Sequence, residues 1–383
     1  MQATGRMTGD TYPAARIVSR AVEQYFAQCR AAMPGFPEIA PAPDGQTIEQ
    51  IATTGFWASL RQEEGRSPRI SLAWVPPEQA GHPLRFARPF PLEPGLLARL
   101  APAVERPGIH LGVWEHGGEL CVWGTTRSIP PACFVLEVVQ PGLLVIKRRR
   151  AREDGKFANV TVLHGDQVKM VDERGGDLPA GMLDTSPLLA FASTRSWTDS
   201  VNVVVQLALS MRTHGHGGSL LIVPRDSDEW RRSIVHPINY PAEPAFTGLS
   251  SLAAMEPNEE DRAEWMDAVR RAVDQVAGLT AVDGATIIDD RYHLLAFGAK
   301  IARSRGSAPV ERVVVMEPVV GARPAEVDVS ELGGTRHLSA AQFVRDQPDA
   351  LALVASQDGR FTVFYRPPGQ DTVHAHRVET LLL

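Results

Sequence analysis

Three short stretches of the 383-residue chain combine residue types able to grip a phosphorylated ligand. The first is Asp283-Gly284-Ala285. Asp283 supplies a hard carboxylate oxygen suited to magnesium or manganese, and Gly284 lets the backbone approach a neighbour closely. The second is Gly333-Gly334-Thr335-Arg336-His337. The planar fork of Arg336 can hold two phosphate oxygens, while Thr335, Gly333 and Gly334 present a hydroxyl and backbone N–H groups at the start of a helix, and His337 adds a further donor. The third is His214-Gly215-His216-Gly217-Gly218, whose paired histidines invite a metal reading. No cysteine or third histidine accompanies them at a suitable spacing, so the expected use is a glycine turn that lets the chain pack closely or lets a ligand's base or phosphate approach.

Such residues need elements to hold them. Trp265, Ala268, Val269, Ala272, Val273 and Val276 share one face of a helix expected over residues 259–276. Apolar runs over residues 219–223, 285–288, 294–297, 313–316, 351–354 and 361–365 predict strands; residues 200–212 predict a helix or mixed segment, and residues 339–346 a short helix. Strands alternating with helices imply an α/β (α+β) unit with a mixed sheet flanked by helices. Upstream, Ile17, Ala21, Val22, Tyr25 and Phe26 form the stripe of a leading helix over residues 14–32, which the prolines after it stop. Between residues 48 and 172, short apolar runs alternate with Pro and Gly and predict a strand-rich domain, with a hairpin turn at His116-Gly117-Gly118. A cluster of Gly, Pro and Asp over residues 173–187 predicts the boundary between an N-terminal domain, residues 1–175, and a C-terminal domain, residues 185–383.

The bulk properties narrow the partners. A net charge of -6 gives no general attraction to nucleic acid or to an anionic membrane. The single basic run, Lys147-Arg148-Arg149-Arg150, leads into Glu153 and Asp154 without interleaved aromatics, so it reads as a solvated strand end. Trp114 and Trp123 read as core or cross-strand partners. Cys29, Cys121 and Cys133 are too few for a disulfide framework and read as small apolar residues. No window is apolar enough to span a bilayer, which leads to the expectation of a cytoplasmic protein with no nucleic-acid or membrane partner.

The order of the two motifs carries a resemblance. A helix, then Asp283-Gly284-Ala285 opening a strand, then Gly334-Thr335-Arg336-His337 opening a later helix, then a final strand pair resembles the diadenylate cyclase domain family of bacteria. That resemblance implies a nucleotide held by Asp283, Gly284, Ala285, Gly334, Thr335, Arg336, His337 and Ser356, with magnesium or manganese on Asp283. In an active member, two domains meet face to face and join two ATP molecules into cyclic di-AMP. The family's second arginine is Leu338 here, and Gln357 follows Ser356 where many members place an acid. Losing one transition-state cation costs roughly 3 to 4 kcal/mol of catalysis and leaves binding possible. With these departures and the early turn at His214, the chain is similar to cyclase-derived sensor domains of bacterial signalling and conflict systems. The implied function is sensing of a purine nucleotide or cyclic dinucleotide by a catalytically weakened domain that signals through a homodimer or a downstream effector. The alternative is an active diadenylate cyclase, a nucleotidyltransferase with Asp283 as its catalytic metal ligand.

Overall fold

Residues 11–33, 38–63, 65–151, 157–172, 202–255, 257–258 and 261–383 are described by the computed structural model. They fall into two units, Met1–Val171 and Asp172–Leu382. The expected boundary over residues 173–187 lies outside the described residues.

The first unit contains helices α1 (Pro13–Ala31), α2 (Gly45–Ser59) and α3 (Pro94–Val104). Its strands are β1 (Ile70–Trp74), β2 (Leu84–Pro91), β3 (His110–His116), β4 (Glu119–Thr126), β5 (Phe134–Gln140), β6 (Leu143–Arg149), β7 (Phe157–His164) and β8 (Gln167–Met170). They form an eight-stranded sheet in the order β2-β4-β3-β1-β5-β6-β7-β8, in which β1 and β3 run parallel. Leu72, Leu111, Leu136 and Leu144 of the sheet share a core with Val22 and Phe26 of α1, Ile48 and Ile51 of α2 and Leu97 of α3. Gly117 and Gly118 join β3 to β4 with φ of 62° and 82°, the left-handed pair that a two-residue hairpin turn favours.

Two expectations for this unit are corrected. Of the expected stripe Val22 and Phe26 are buried, but Ile17 is 70% exposed and Ala21 is exposed, and α1 buries Ala15 and Val18 in their place. Residues 48–172 also contain α2 and α3. Thr53-Thr54-Gly55 is a poor helix sequence, but Asp44 caps α2 by accepting from the Thr47 N–H at 2.7 Å. Gly55 then lets the helix settle on β5, since a Cβ there would lie 2.7 Å from Leu136 Cδ2. The tryptophans are internal partners as expected: Trp114 packs on Trp74 at 4.3 Å, and Trp123 donates Nε1–H to the Val75 carbonyl at 2.9 Å with its ring over Gly112. The basic run ends β6, where Lys147 pairs with Glu137 at 2.6 Å and Arg148 donates to the Tyr25 hydroxyl at 2.9 Å.

The second unit contains α4 (Val203–Thr213), β9 (Gly218–Val223), β10 (Tyr240–Phe246), α5 (Gly248–Ala253), α6 (Arg262–Leu279), β11 (Ala285–Asp289) and β12 (Leu294–Ala299). It continues with β13 (Arg312–Met316), β14 (Ala325–Asp328), α7 (Thr335–Asp346), β15 (Leu351–Ala355), β16 (Phe361–Tyr365) and β17 (His374–Arg377). The nine strands run β10-β12-β11-β9-β15-β16-β17-β13-β14, mixed in direction because β11 is parallel to β9 and β13 to β17. Helices lie on both faces. Leu207, Met211, Val273 and Val276 from α4 and α6 pack with Leu220, Ile222, Leu353 and Phe361. On the other face, Ala340, Phe343 and Val344 of α7 pack with Leu221, Val223, Val354 and Phe364. The start of the helix expected over residues 259–276 lies outside the described residues; the helix itself buries Val269, Ala272, Val273 and Val276, as its pattern predicts. The segment of β10 reads as a proline-rich gap in sequence. Its position at the sheet edge explains why Pro241 and Pro244, which donate no N–H, are tolerated.

Two predictions follow from this packing. Gly112→Ala drives a methyl into the Trp123 ring, which its hydrogen bond holds in place, and should lower unfolding free energy by about 1 to 3 kcal/mol in urea titrations. Burial lowers the pKa of His110 and of His376 to about 4 each. An unfolded histidine takes its proton near pH 6.5, so stability is complete above that value and falls as pH drops toward 4. Unfolding followed from pH 7.5 to 4.5 should show this decline, and His110→Gln should flatten the share arising in the first unit.

Candidate functional site

The strand register brings the sequence motifs to one end of the second sheet. Ala285 pairs with Ser219 and Ala299, and Gly218 pairs with Ala355, which in turn pairs with Phe361. The turn before β11, the glycine turn before β9, the end of β12 and the turn between β15 and β16 therefore share one edge. The start of α7 meets them there, because Arg336 lies against Gly217.

The glycine turn is shaped by its neighbours. Gly215 and Gly217 adopt φ of 69° and 70°. A Cβ on Gly217 would lie 2.9 Å from Arg336 Nη1 and 3.2 Å from the Ala355 carbonyl oxygen, so the guanidinium occupies the space that a side chain would need. The Gln357 side-chain amide donates to the His216 carbonyl at 3.2 Å, closing the same turn. His214 is fully engaged. Its Nδ1 accepts from the His216 N–H at 3.1 Å, which leaves the proton on Nε2 to donate to Thr280 Oγ1 at 3.1 Å. Burial, and then neighbouring His216, lowers its pKa and keeps the ring neutral. With both nitrogens used, His214 serves the turn as expected.

Asp283 is exposed just before β11. Gly284 has φ of 108°, and a Cβ there would lie 2.5 Å from the Gly298 carbonyl carbon. The close approach that the sequence assigns to a ligand is thus made to the backbone of β12. Ala285 is buried in the ladder. Among the described residues no group of three His, Cys, Asp or Glu side chains could hold a metal ion. Asp283 stands as a lone carboxylate, so magnesium or manganese there would draw its other ligands from phosphate oxygens and water.

At α7, Gly334 is the N-cap and Thr335 the first helical residue, both exposed. Nothing lies within 4 Å of a Cβ on Gly334, which leaves the helix start open. Arg336 is half-buried, and no carboxylate among the described residues pairs with it or shares a hydrogen bond with Asp283. His337 departs from its expected role as a phosphate donor. It is buried on the core side of α7, its ring filling the space beside Gly333 and meeting Phe364 edge-on at 6.0 Å. Burial lowers its pKa. Ser356 opens the turn between β15 and β16, with its N–H donating to the Arg360 carbonyl at 2.9 Å. Burial opposes ionisation of Asp358 in that turn, yet the Ser356 hydroxyl and the Arg360 N–H hold its carboxyl below the usual range. The sequence reading missed one neighbour of this edge, Tyr240, whose ring covers Gly298 beside Gly284.

The two glycines separate fold from ligand access. Gly284→Ala meets both a left-handed φ and a backbone wall and should cost about 2 kcal/mol or more in thermal or urea unfolding. Gly334→Ala has space and an ordinary φ, and should cost only the weaker N-cap preference of alanine, about 0.5 to 1 kcal/mol.

Comparison with known proteins places a similarity in the first unit. Among solved structures, the chain is similar to a hypothetical membrane spanning protein from Bacillus cereus, at 12% identity over 45% of this chain and 61% of that one, with a TM-score of 0.26. It is also similar to a double mutant of DacA from Staphylococcus aureus, at 15% identity over 46% of this chain and 83% of that one, with a TM-score of 0.24. The chain thus spans less than two thirds of the first of these proteins. No helix among the described residues is long and apolar enough to cross a membrane. No curated protein matches the chain. Residues 37–127, within the first unit, match the family model described as probable sensor domain DACNV.

Proposed function

We propose that the second unit binds a purine nucleotide or cyclic dinucleotide at the sheet end between Asp283 and the start of α7, and that it does so as a sensor. One observation carries this reading. Arg336 sits in the first turn of a helix, partly desolvated against Gly217 and without an acidic partner among the described residues. A helix N-terminus favours negative charge, and a guanidinium beside it supplies the bidentate grip that a phosphate accepts. The exposed Thr335 hydroxyl and the open N–H groups after Gly334 extend the same donor surface. Asp283, on the other side of β9, is free to meet a ribose hydroxyl or a phosphate-bound cation.

Sensing is favoured over synthesis by Leu338. The family resembled has a cation at this position, and here an apolar side chain is 46% exposed beside the donor surface. Phosphoryl and nucleotidyl transfer depend on cations that spread the developing charge, whereas binding survives with fewer. The sensor description of the family matched by residues 37–127 agrees in kind, although it concerns the other unit.

Calorimetry with ATP and with cyclic di-AMP tests the reading. We expect binding tighter than millimolar for at least one of them, and a loss of about tenfold or more in Arg336→Ala with the melting temperature preserved. Absence of binding to both removes the proposal. Mass spectrometry after incubation with ATP and manganese should show no cyclic dinucleotide; product that disappears in Asp283→Asn establishes an active cyclase instead.

A further inference from the structure

The edge of the second sheet carries an aromatic pair that neither of that unit's cores uses. Tyr240 of β10 and Phe297 of β12 are register partners, and their rings stack at 4.8 Å with only 9° between planes. Neither ring belongs to the clusters on the two faces of the sheet. Tyr240 is 49% exposed, so one face of its ring rests on Phe297 and much of the remainder meets solvent. An aromatic residue placed for stability alone gains most by burial.

The surroundings of the ring connect it to the site. Gly298 has φ of 61°, and a Cβ there would lie 2.7 Å from Tyr240 Cδ2 and 3.4 Å from the Asp283 carbonyl oxygen. The ring, the glycine and the Asp283 turn are therefore contiguous. In the strand order β10-β12-β11-β9, three spacings of about 4.8 Å separate the strand of Tyr240 from the strand that Arg336 abuts. The ribose and phosphates of a single nucleotide bridge such a span. Anion grip, carboxylate and aromatic surface thus follow one another along the strand ends, in the order that phosphate, sugar and base follow one another in a nucleotide.

We infer that Tyr240, backed by Phe297, is the stacking surface for the base of the bound nucleotide, and that it selects a purine. This inference rests on the nucleotide reading given above and adds the residue that holds the base. A base laid on an aromatic ring gains affinity in proportion to the overlap of their faces, which favours the larger purine over a pyrimidine. The hydroxyl of Tyr240 has no part in it, so Phe at this position retains the function.

Calorimetry on the full chain with ATP, CTP and inorganic tripolyphosphate separates the possibilities. ATP should bind more tightly than CTP. Tyr240→Ala should weaken ATP about tenfold and leave tripolyphosphate unchanged, while Tyr240→Phe keeps the parent affinity for both. Equal ATP affinity in the parent protein and Tyr240→Ala overturns the stacking role and leaves the phosphate site standing. A Tyr240→Ala protein that is less stable but binds ATP normally shows a cross-strand pair and nothing more. Failure of both ATP and tripolyphosphate to bind the parent protein overturns the nucleotide reading along with this one. Should Tyr240→Ala fold poorly, Tyr240→Trp supplies a second readout: its fluorescence should be quenched by ATP and unmoved by tripolyphosphate, and no quenching at saturating ATP overturns the inference.

Discussion

Gly217 and Gly218, at the entry to β9, leave no room for side chains, and the organisation of the second unit depends on that constraint. A Cβ on Gly218 would lie 2.5 Å from the Thr280 carbonyl oxygen, and one on Gly217 would lie 2.9 Å from Arg336 Nη1. The end of α6 thus closes on the strand through Thr280, and the first turn of α7 closes on it through Arg336. Gly218 also pairs with Ala355 while Ser219 pairs with Ala285, so β15 and β11 are registered from the same point. Close-packed contacts of this kind resist small displacements, because every group that might yield already has a neighbour. Arg336 therefore lies against the backbone of Gly217, with no ion pair among the described residues.

That placement bears on what the guanidinium can do. Exposed ion pairs contribute little to stability, so leaving Arg336 without a carboxylate sacrifices little. It leaves a cation beside Gly217 with no ion-pair partner among the described residues. The glycines contribute by packing. Gly217 accommodates Arg336, Gly284 accommodates the backbone of β12, and Gly333 accommodates the His337 ring, which leaves Gly334 as the open position at the helix start. The proposed ligand surface is thus narrower than the motif residues taken together.

The sequence was informative where a repeat or a turn states its own geometry. The stripe of α6, the strands β11, β12, β13, β15 and β16 and the hairpin at Gly117-Gly118 follow from periodicity and from residues that accept a positive φ. It was less informative where tertiary context decides. Ile17 and Val18 are both apolar and adjacent, and only the direction of the sheet selects Val18 for burial. The helix α2 overrides weak propensity through a cap and a contact with Leu136. Within the site, residue types were legible but their partners were not. Gly298 lies far from Gly284 in the chain, and the burial of His337 depends on which side of α7 meets Thr362 and Phe364. Tyr240 was hidden because the prolines of its strand suppress the strand signal, and only its place on an edge makes that sequence intelligible.

The two units contribute different kinds of support, and this shapes the functional reading. In the first, one polar pair is internal: Ser71 Oγ lies 2.7 Å from His110 Nδ1, and both residues are buried. In the second, Arg336 and Asp283 have no ion-pair partner among the described residues, while His214 and Gln357 beside them are engaged in the glycine turn. Leu338 then separates holding from turning over. Its side chain is exposed, so core packing does not demand a leucine there, and a cation would fit without disturbing the fold. A site under demand for charge neutralisation during bond making would make use of such a position. In the proposed nucleotide site, an apolar residue there leaves Arg336 as the cation for phosphate charge, which would match the requirement for recognition and fall short of the requirement for transfer.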